Sequence, residues 1–246
     1  MNNIKNSWLV KSPIAHRGLF DNRTIAENSL TAFSECVKNG TPIELDVRIT
    51  KDKQIIVFHD DKLGRMTDID GYANNLDYAD IKKAKLLKTA DGVPLLSDVL
   101  KLVDGKVPIL IEIKNINGIS YEKELWSVLS KYNGEYAIQS FSPLILEWFK
   151  LNAPQIKRGM LASSFKGEKS LTLIQRLLLG KLKLYKRAEP NFISYRLKDL
   201  PNRHVKNVSK KLDIPVIAWT VCSEDDKQRA KQVADNYIFS KCQLAS

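Results

Sequence analysis

The chain has 246 residues, 43% hydrophobic and 27% charged, with a net charge of +11. These proportions are those of a soluble globular protein, and the length suits one large core. No apolar run approaches the roughly 20 residues needed to span a bilayer, which excludes a membrane-spanning class. Met1 to Lys11 lack the sustained apolar stretch of a signal peptide. Cys36, Cys222 and Cys242 are odd in number and widely spaced. They argue against a disulfide framework and for a reducing compartment, so the cytoplasm is the expected location. The charge is uneven: residues 150–211 hold sixteen Lys and Arg against Glu168, Glu189 and Asp199, a net +13, which leaves −2 for the remainder.

In chain order, short apolar runs alternate with helical patterns. Strands are expected at 13–17, 42–48, 107–113, 136–141, 157–162, 191–195, 214–220 and 236–240. Helices are expected near 29–39, 94–104, 121–132, 143–152, 168–186, 201–211 and 224–234. Asn28 or Ser29 can cap the first of them, and Ser223 precedes three acids that suit a helix N-terminus. Eight strands alternating with helices is the count of an α/β fold, the (β/α)8 TIM barrel. One run breaks the alternation. Ile55-Ile56-Val57-Phe58-His59 follows the second strand after a connection too short for a parallel crossover, so it folds back as an antiparallel hairpin strand. That hairpin brings His59 to Glu44 and Asp46. Residues 61–93, turn-rich and polar, read as a small insertion roofing part of the barrel mouth within one domain, 1–246. The sequence shows no internal repeat.

The chemistry-bearing residues follow the strands. Glu44 and Asp46 are two apart, so they share one face while Ile43, Leu45 and Val47 take the other. Carboxylates crowded on a barrel's inner face repel unless a cation lies between them. Glu112 and Lys114 repeat the spacing on the next strand. Three carboxylates from two strands make a hard-oxygen site suited to Mg²⁺ or Ca²⁺, and the competing reading is a buried salt-bridge network of Glu112 with Lys114 or Arg17. His16 ends the first strand, where barrel active sites lie. His16 and His59, flanking the carboxylates, read as a general acid and base. Arg17 can grip phosphate oxygens bidentately, and Lys114 adds a point charge. Glu27 and Asn28 follow on a loop and either orient His16 or the metal from behind or simply cap a helix. His204, in a basic helical segment, reads as a surface residue.

His16-Arg17-Gly18, Glu27-Asn28-Ser29, Glu44-Leu45-Asp46, His59-Asp60 and Glu112-Ile113-Lys114, with Gln139-Ser140-Phe141 and Trp219-Thr220-Val221 after them, resemble the glycerophosphodiester phosphodiesterase family in order and spacing. The resemblance implies a (β/α)8 barrel that hydrolyses glycerophosphodiesters to sn-glycerol 3-phosphate and an alcohol. It implies His16 and His59 as the acid/base pair and Glu44, Asp46 and Glu112 as metal ligands. Arg17 and Lys114 would contact the phosphate, and Trp219 would line the pocket. The chain departs from the family pattern at Ala26, where proline is common, at Cys222, where asparagine is common, and at Lys241, where an acid is common. The last of these bears on substrate choice.

The basic sector contains one further pattern. Leu171, Ile174, Leu178, Leu182 and Tyr185 follow helical spacing, with Lys169, Arg176, Lys183 and Arg187 opposite. The pattern fits an outer barrel helix packed on strands, or a basic amphipathic helix lying on an anionic membrane surface. Gly180 weakens or breaks it. The partner expected is a small-molecule phosphodiester, with an anionic membrane surface reached through residues 150–211. A lysophospholipase D at a membrane face, and a non-enzymatic module binding nucleic acid or another polyanion, are the alternatives. Intact acid/base and carboxylate sets and the lack of a nucleic-acid motif argue against the second.

Overall fold

A computed structural model describes residues 4–116, 118–168 and 171–240; Lys169, Lys241 and Cys242 lie outside them. Nine strands form among these residues: β1 (Ile14–His16), β2 (Ile43–Ile49), β3 (Ile55–Val57), β4 (Ile109–Ile113), β5 (Tyr136–Ser140), β6 (Lys157–Ala162), β7 (Phe192–Arg196), β8 (Val216–Val221) and β9 (Asn236–Phe239). Their order is β1-β9-β8-β7-β6-β5-β4-β2-β3, and β1 also pairs with β2. Eight strands therefore close as a (β/α)8 barrel. The ninth, β3, runs antiparallel to β2 outside that set, with Val47 opposite Val57 and Ile49 opposite Ile55. This is the hairpin that the short connection requires.

Among the described residues contacts gather into two compact units, residues 4–14 with 137–239, and 15–136 with Ser240. In the second, all seven residues of β2 are buried. Strand alternation then sends Ile43, Leu45, Val47 and Ile49 to one side and Glu44, Asp46 and Arg48 to the other. The helix Leu30–Lys38 follows β1 and is capped by the Ser29 hydroxyl, which accepts from the Ala32 amide at 3.1 Å. Asn28 is not its cap; its side chain turns to Asp46 instead. The insertion is less polar than its composition suggests. Leu63, Met66, Ala73, Ile81, Leu86 and Val93 are buried with Ile56 and Phe58 in a core of their own. That cluster gives the apolar face of β3 something to pack on, which a lone hairpin strand lacks.

In the first unit, Met160, Ile193, Tyr195, Val205, Val216 and Ala218 belong to one buried cluster. Asn236 at the start of β9 donates to the carbonyls of Leu9 and Ser12 at 2.8 and 2.7 Å, tying down the N-terminal segment. Helices Pro143–Asn152, Arg203–Leu212 and Glu224–Val233 lie close to their expected bounds, the last capped by Ser223.

The expected continuous helix over 168–186 is not formed. A capping box between Thr172 and Gln175 starts the helix at Leu173, and it ends at Gly180. Leu182 takes a left-handed backbone and drops into the core, and a second short helix runs from Tyr185 to Ala188. A Cβ at Gly180 would lie 3.1 Å from the Ser164 carbonyl oxygen, so the helix ends where its backbone meets another segment. The opposed stripe of cations dissolves with the helix. Arg176 turns back to the Leu171 carbonyl, and Arg187 pairs with Glu147.

Gly18 has φ +85°, and a Cβ there would meet Ala32 Cβ at 2.9 Å. Gly18→Ala is expected to lower the unfolding free energy by about 1–3 kcal/mol, from strained backbone and overpacking together. Chemical denaturation measures it, and an unchanged midpoint would mean that the helix Leu30–Lys38 moves aside without cost.

Candidate active site

The register of the strands assembles the site within the second unit. His16 pairs beside Glu44 across β1 and β2, and Asp46 beside Glu112 across β2 and β4. Carboxylate oxygens of Glu44, Asp46 and Glu112 all lie within 4.8 Å of one another, and all three residues are buried. Lys114, just past β4, places Nζ 2.7 Å from Asp46 Oδ1 and 2.5 Å from Glu112 Oε1. Of the salt-bridge reading, the pair of Lys114 with Glu112 forms, and Lys114 also reaches Asp46, while Arg17 pairs with Glu27 and Asp46.

Arg17 adopts φ +56°, which turns its amide to Glu44 Oε2 at 3.0 Å. Its guanidinium pairs with Glu27 at 2.7 Å and stands 3.4 Å from Asp46 Oδ2. Asn28, also left-handed, donates from Nδ2 to Asp46 Oδ2 at 2.9 Å. Glu27 therefore contacts Arg17, and Asn28 contacts Asp46, a member of the expected metal set. Residues beyond the sequence reading complete the ring. Arg65, from a 3-10 turn of the insertion, pairs with Glu27 at 2.7 Å and with Asp60. Asp60 Oδ1 lies 2.6 Å from His59 Nδ1, which fixes that ring's orientation. Arg48 donates to the His59 carbonyl from Nε and Nη2 at 2.9 and 2.6 Å and pairs with Asp61. Arg48 shares the parity of Glu44 and Asp46, so alternation along β2 was the signal for it. Arg65 has no such signal, because a 3-10 turn imposes no useful period.

The electrostatics follow from burial. Burial and then the charges of Asp46 and Glu112 push the Glu44 carboxyl well above the usual range. Burial acts the same way on Asp46, but Lys114, His59, Arg17 and His16 outweigh it and hold Asp46 ionised. Lys114 stays charged against its burial because Asp46 and Glu112 flank it. Burial, then Arg17, lowers His16 to about 3 despite the opposing pull of Asp46. Burial also lowers His59. Both imidazoles are thus pushed toward their neutral form.

Whether this set fits a divalent cation can be judged from its charges. Glu27, Glu44, Asp46, Asp60 and Glu112 face Arg17, Arg65 and Lys114, while Arg48 and Asp61 cancel. Two negative charges are left over, and the raised Glu44 expresses that excess. An all-oxygen cluster with this surplus fits a hard divalent ion. Trp219 lies in the first unit, on β8, where its ring meets Phe141 edge-on with centroids 5.8 Å apart.

The chain matches the glycerophosphoryl diester phosphodiesterase family over residues 16–239, and it belongs to that family. It is 33% identical over 161 residues to a glycerophosphodiester phosphodiesterase of Caldanaerobacter subterraneus subsp. tengcongensis, a stretch covering 60% of this chain and 65% of that relative. It is 28% identical to Bacillus subtilis YhdW over 218 residues, 85% of each chain. Human lysophospholipase D GDPD1 is 31% identical over 145 residues, 54% of this chain and 45% of the relative. Among solved structures, an Oleispira antarctica phosphodiesterase in complex with the product sn-glycerol-3-phosphate has the same fold, with a TM-score of 0.76 and 22% identity over 95% of this chain and 94% of that one.

Replacing the crowded Glu44 with its neutral isostere should cost nothing in chelator, because it relieves repulsion between buried like charges. Glu44→Gln is expected to melt at or above the wild-type temperature in EDTA. Adding Mg²⁺ or Ca²⁺ should raise the wild-type midpoint and leave the variant's unchanged. A variant that melts well below wild type in EDTA would refute the surplus-charge account.

Proposed function

We propose that this chain hydrolyses glycerophosphodiesters to sn-glycerol 3-phosphate and an alcohol. His16 and His59 serve as the acid/base pair, and Glu44, Asp46 and Glu112 hold a divalent cation, Mg²⁺ or Ca²⁺. The observation that carries this reading is the burial of Glu44, Asp46 and Glu112 within 4.8 Å of one another, with His16 beside Glu44 in the strand register and Arg17 and Lys114 paired to the same carboxylates. The family and the product complex of its Oleispira antarctica relative support the same substrate class.

When bound, the cation would neutralise the diester and polarise its phosphoryl oxygen. Arg17, pre-oriented by Glu27, binds a phosphate oxygen through its guanidinium, and Lys114 stabilises charge developing on phosphorus. One imidazole takes the proton of the attacking hydroxyl, from water or from the neighbouring glycerol hydroxyl, and the other protonates the leaving alkoxide. The ring that acts as base must be neutral and the ring that acts as acid protonated when the reaction begins. Asp60, clamped by Arg65, keeps Nδ1 of His59 engaged and leaves Nε2 for the chemistry. Trp219 is assigned to substrate binding by the family resemblance alone. An anionic membrane surface acting through residues 150–211 is a separate partner that this chemistry does not require. The lysophospholipase D reading is the weaker one, since the relative so named aligns with only 54% of this chain.

Release of glycerol 3-phosphate from a panel of glycerophosphodiesters, followed by a coupled dehydrogenase, tests the reading. Release is expected to cease in EDTA and return with Mg²⁺ or Ca²⁺, and metal-independent release would overturn the role of the carboxylates. His16→Ala and His59→Ala should each lower kcat by about 100-fold or more with the fold intact. Arg65→Ala should cost about tenfold, because it frees Asp60 and Glu27 without removing a group that touches substrate. An Arg65 variant with full activity would show that His59 and Arg17 hold their positions unaided.

A further inference from the structure

The helix Leu173–Gly180 is amphipathic the wrong way round. In an outer barrel helix the leucines face the strands. Here Leu173 is 74% exposed, Ile174 71%, Leu177 54% and Leu178 38%, and the only buried residue of the helix is Gly180. At about 100° per residue these four side chains fall within an arc of about 140° on one side of the helix. Four of the seven large hydrophobic residues exposed among the described residues sit on these two turns. A monomeric surface rarely gathers apolar side chains in this way without a partner.

The surroundings of the helix identify the partner's chemistry. A cleft of about 440 Å³ along its flank is lined by Lys166, Arg176, Lys181 and His204, together with Phe165 and Leu177, and by no acid. Among the described residues Lys166, Arg176, Lys181 and Lys183 form no ion pair. The capping box at Thr172 and Gln175 holds the helix as a formed element, so its apolar row is presented rather than buried by collapse. An apolar row two turns long, ringed by unpaired cations in a sector of net +13, complements a surface that is anionic outside and apolar just beneath. A protein partner covering the leucines would need acids for each lysine and a groove for each leucine, whereas a bilayer supplies both to any orientation of the row.

We propose that the helix Leu173–Gly180 docks the protein on an anionic lipid bilayer. Leu173, Ile174 and Leu177 enter the acyl boundary, and Lys166, Lys181 and Lys183 pair with lipid phosphates. The docking is reversible, because a short row buries little area and the cations carry much of the attraction. It does not depend on which diester the active site cleaves.

Flotation with phosphatidylcholine vesicles, with and without phosphatidylglycerol, tests this independently of turnover. The whole chain should float only with phosphatidylglycerol at low salt and be released at high salt. Leu173→Gln, Ile174→Gln and Leu177→Gln combined should lower partitioning more than about tenfold with an unchanged circular dichroism spectrum. Lys181→Glu with Lys183→Glu should do the same through charge. Hydrolysis of a soluble diester by these variants should remain at the wild-type level. The proposal falls if wild type does not float at low salt, or if the triple variant floats as well as wild type. It also falls if size-exclusion chromatography shows that the triple variant merely dissociates a wild-type dimer, since a second copy would then cover the row. A protein that floats but releases no glycerol 3-phosphate would overturn the catalytic reading and leave docking in place.

Discussion

Burying three carboxylates side by side is the constraint from which the rest of the site follows. Glu44, Asp46 and Glu112 cannot avoid one another, because the parallel register of β2 and β4 puts Asp46 beside Glu112 and the pleat puts Glu44 on the same face. Uncompensated, such a cluster costs more than a domain's net stability can absorb. Compensation comes from Lys114 and Arg17, and each must itself be held. Arg17 is held by Glu27, Glu27 by Arg65 and Asn22, and Asp46 by Asn28. The left-handed backbones at Arg17, Asn22 and Asn28 are part of the same account. Each costs on the order of 1 kcal/mol, and each aims a further donor at a carboxylate of the site, Glu44, Glu27 and Asp46 in turn.

The same compensation sets the state of the histidines. A buried imidazole beside Arg17 and Lys114 has two reasons to stay neutral and one, Asp46, to take a proton. The surroundings of the two rings differ in geometry: His59 is partly exposed and has Asp60 against Nδ1, whereas His16 stands beside Glu44 in the strand register. Arg65 reaches both ends of the site, Asp60 on one side and Glu27 on the other. It comes from the insertion, so the separate core formed there by Leu63, Met66, Ile81 and Leu86 bears on the geometry of the chemistry.

Much of this was legible in the order of residues. Two-residue spacing on a strand is a strict geometric statement, and it placed Glu44 with Asp46. The short connection after residue 50 forced a hairpin and so brought His59 round. Helix 168–186 was misjudged for a physical reason: apolar periodicity reports that a face exists but not which way it turns. The spacing of Ile174 and Leu178 is the same whether the row meets strands or solvent. The capping box at Thr172 and the close approach of Gly180 to the Ser164 carbonyl decide it, and the second of these is a tertiary contact. Arg65 escaped notice because its partners, Glu27 and Asp60, lie 38 and 5 residues away on different segments.

Charge is divided between the two ends of this account in opposite ways. At the site, cations and carboxylates nearly cancel and the remainder is negative, so before a cation binds the site itself repels a diester. Attraction at distance has to come from elsewhere, and the +13 of residues 150–211 is the only part of the chain with the surplus to provide it. Among the described residues the ion pairs of that sector are those of Lys150, Arg187 and Arg196, and in salt its charge acts only within about 10 Å. A field of that reach holds a protein against a charged surface far better than it steers a small ion through solution. On the docking and the chemistry proposed above, capture by the basic sector and selection by the carboxylate cluster are separable. A change of charge in the first is expected to alter where the protein resides, and a change in the second to alter what it does there.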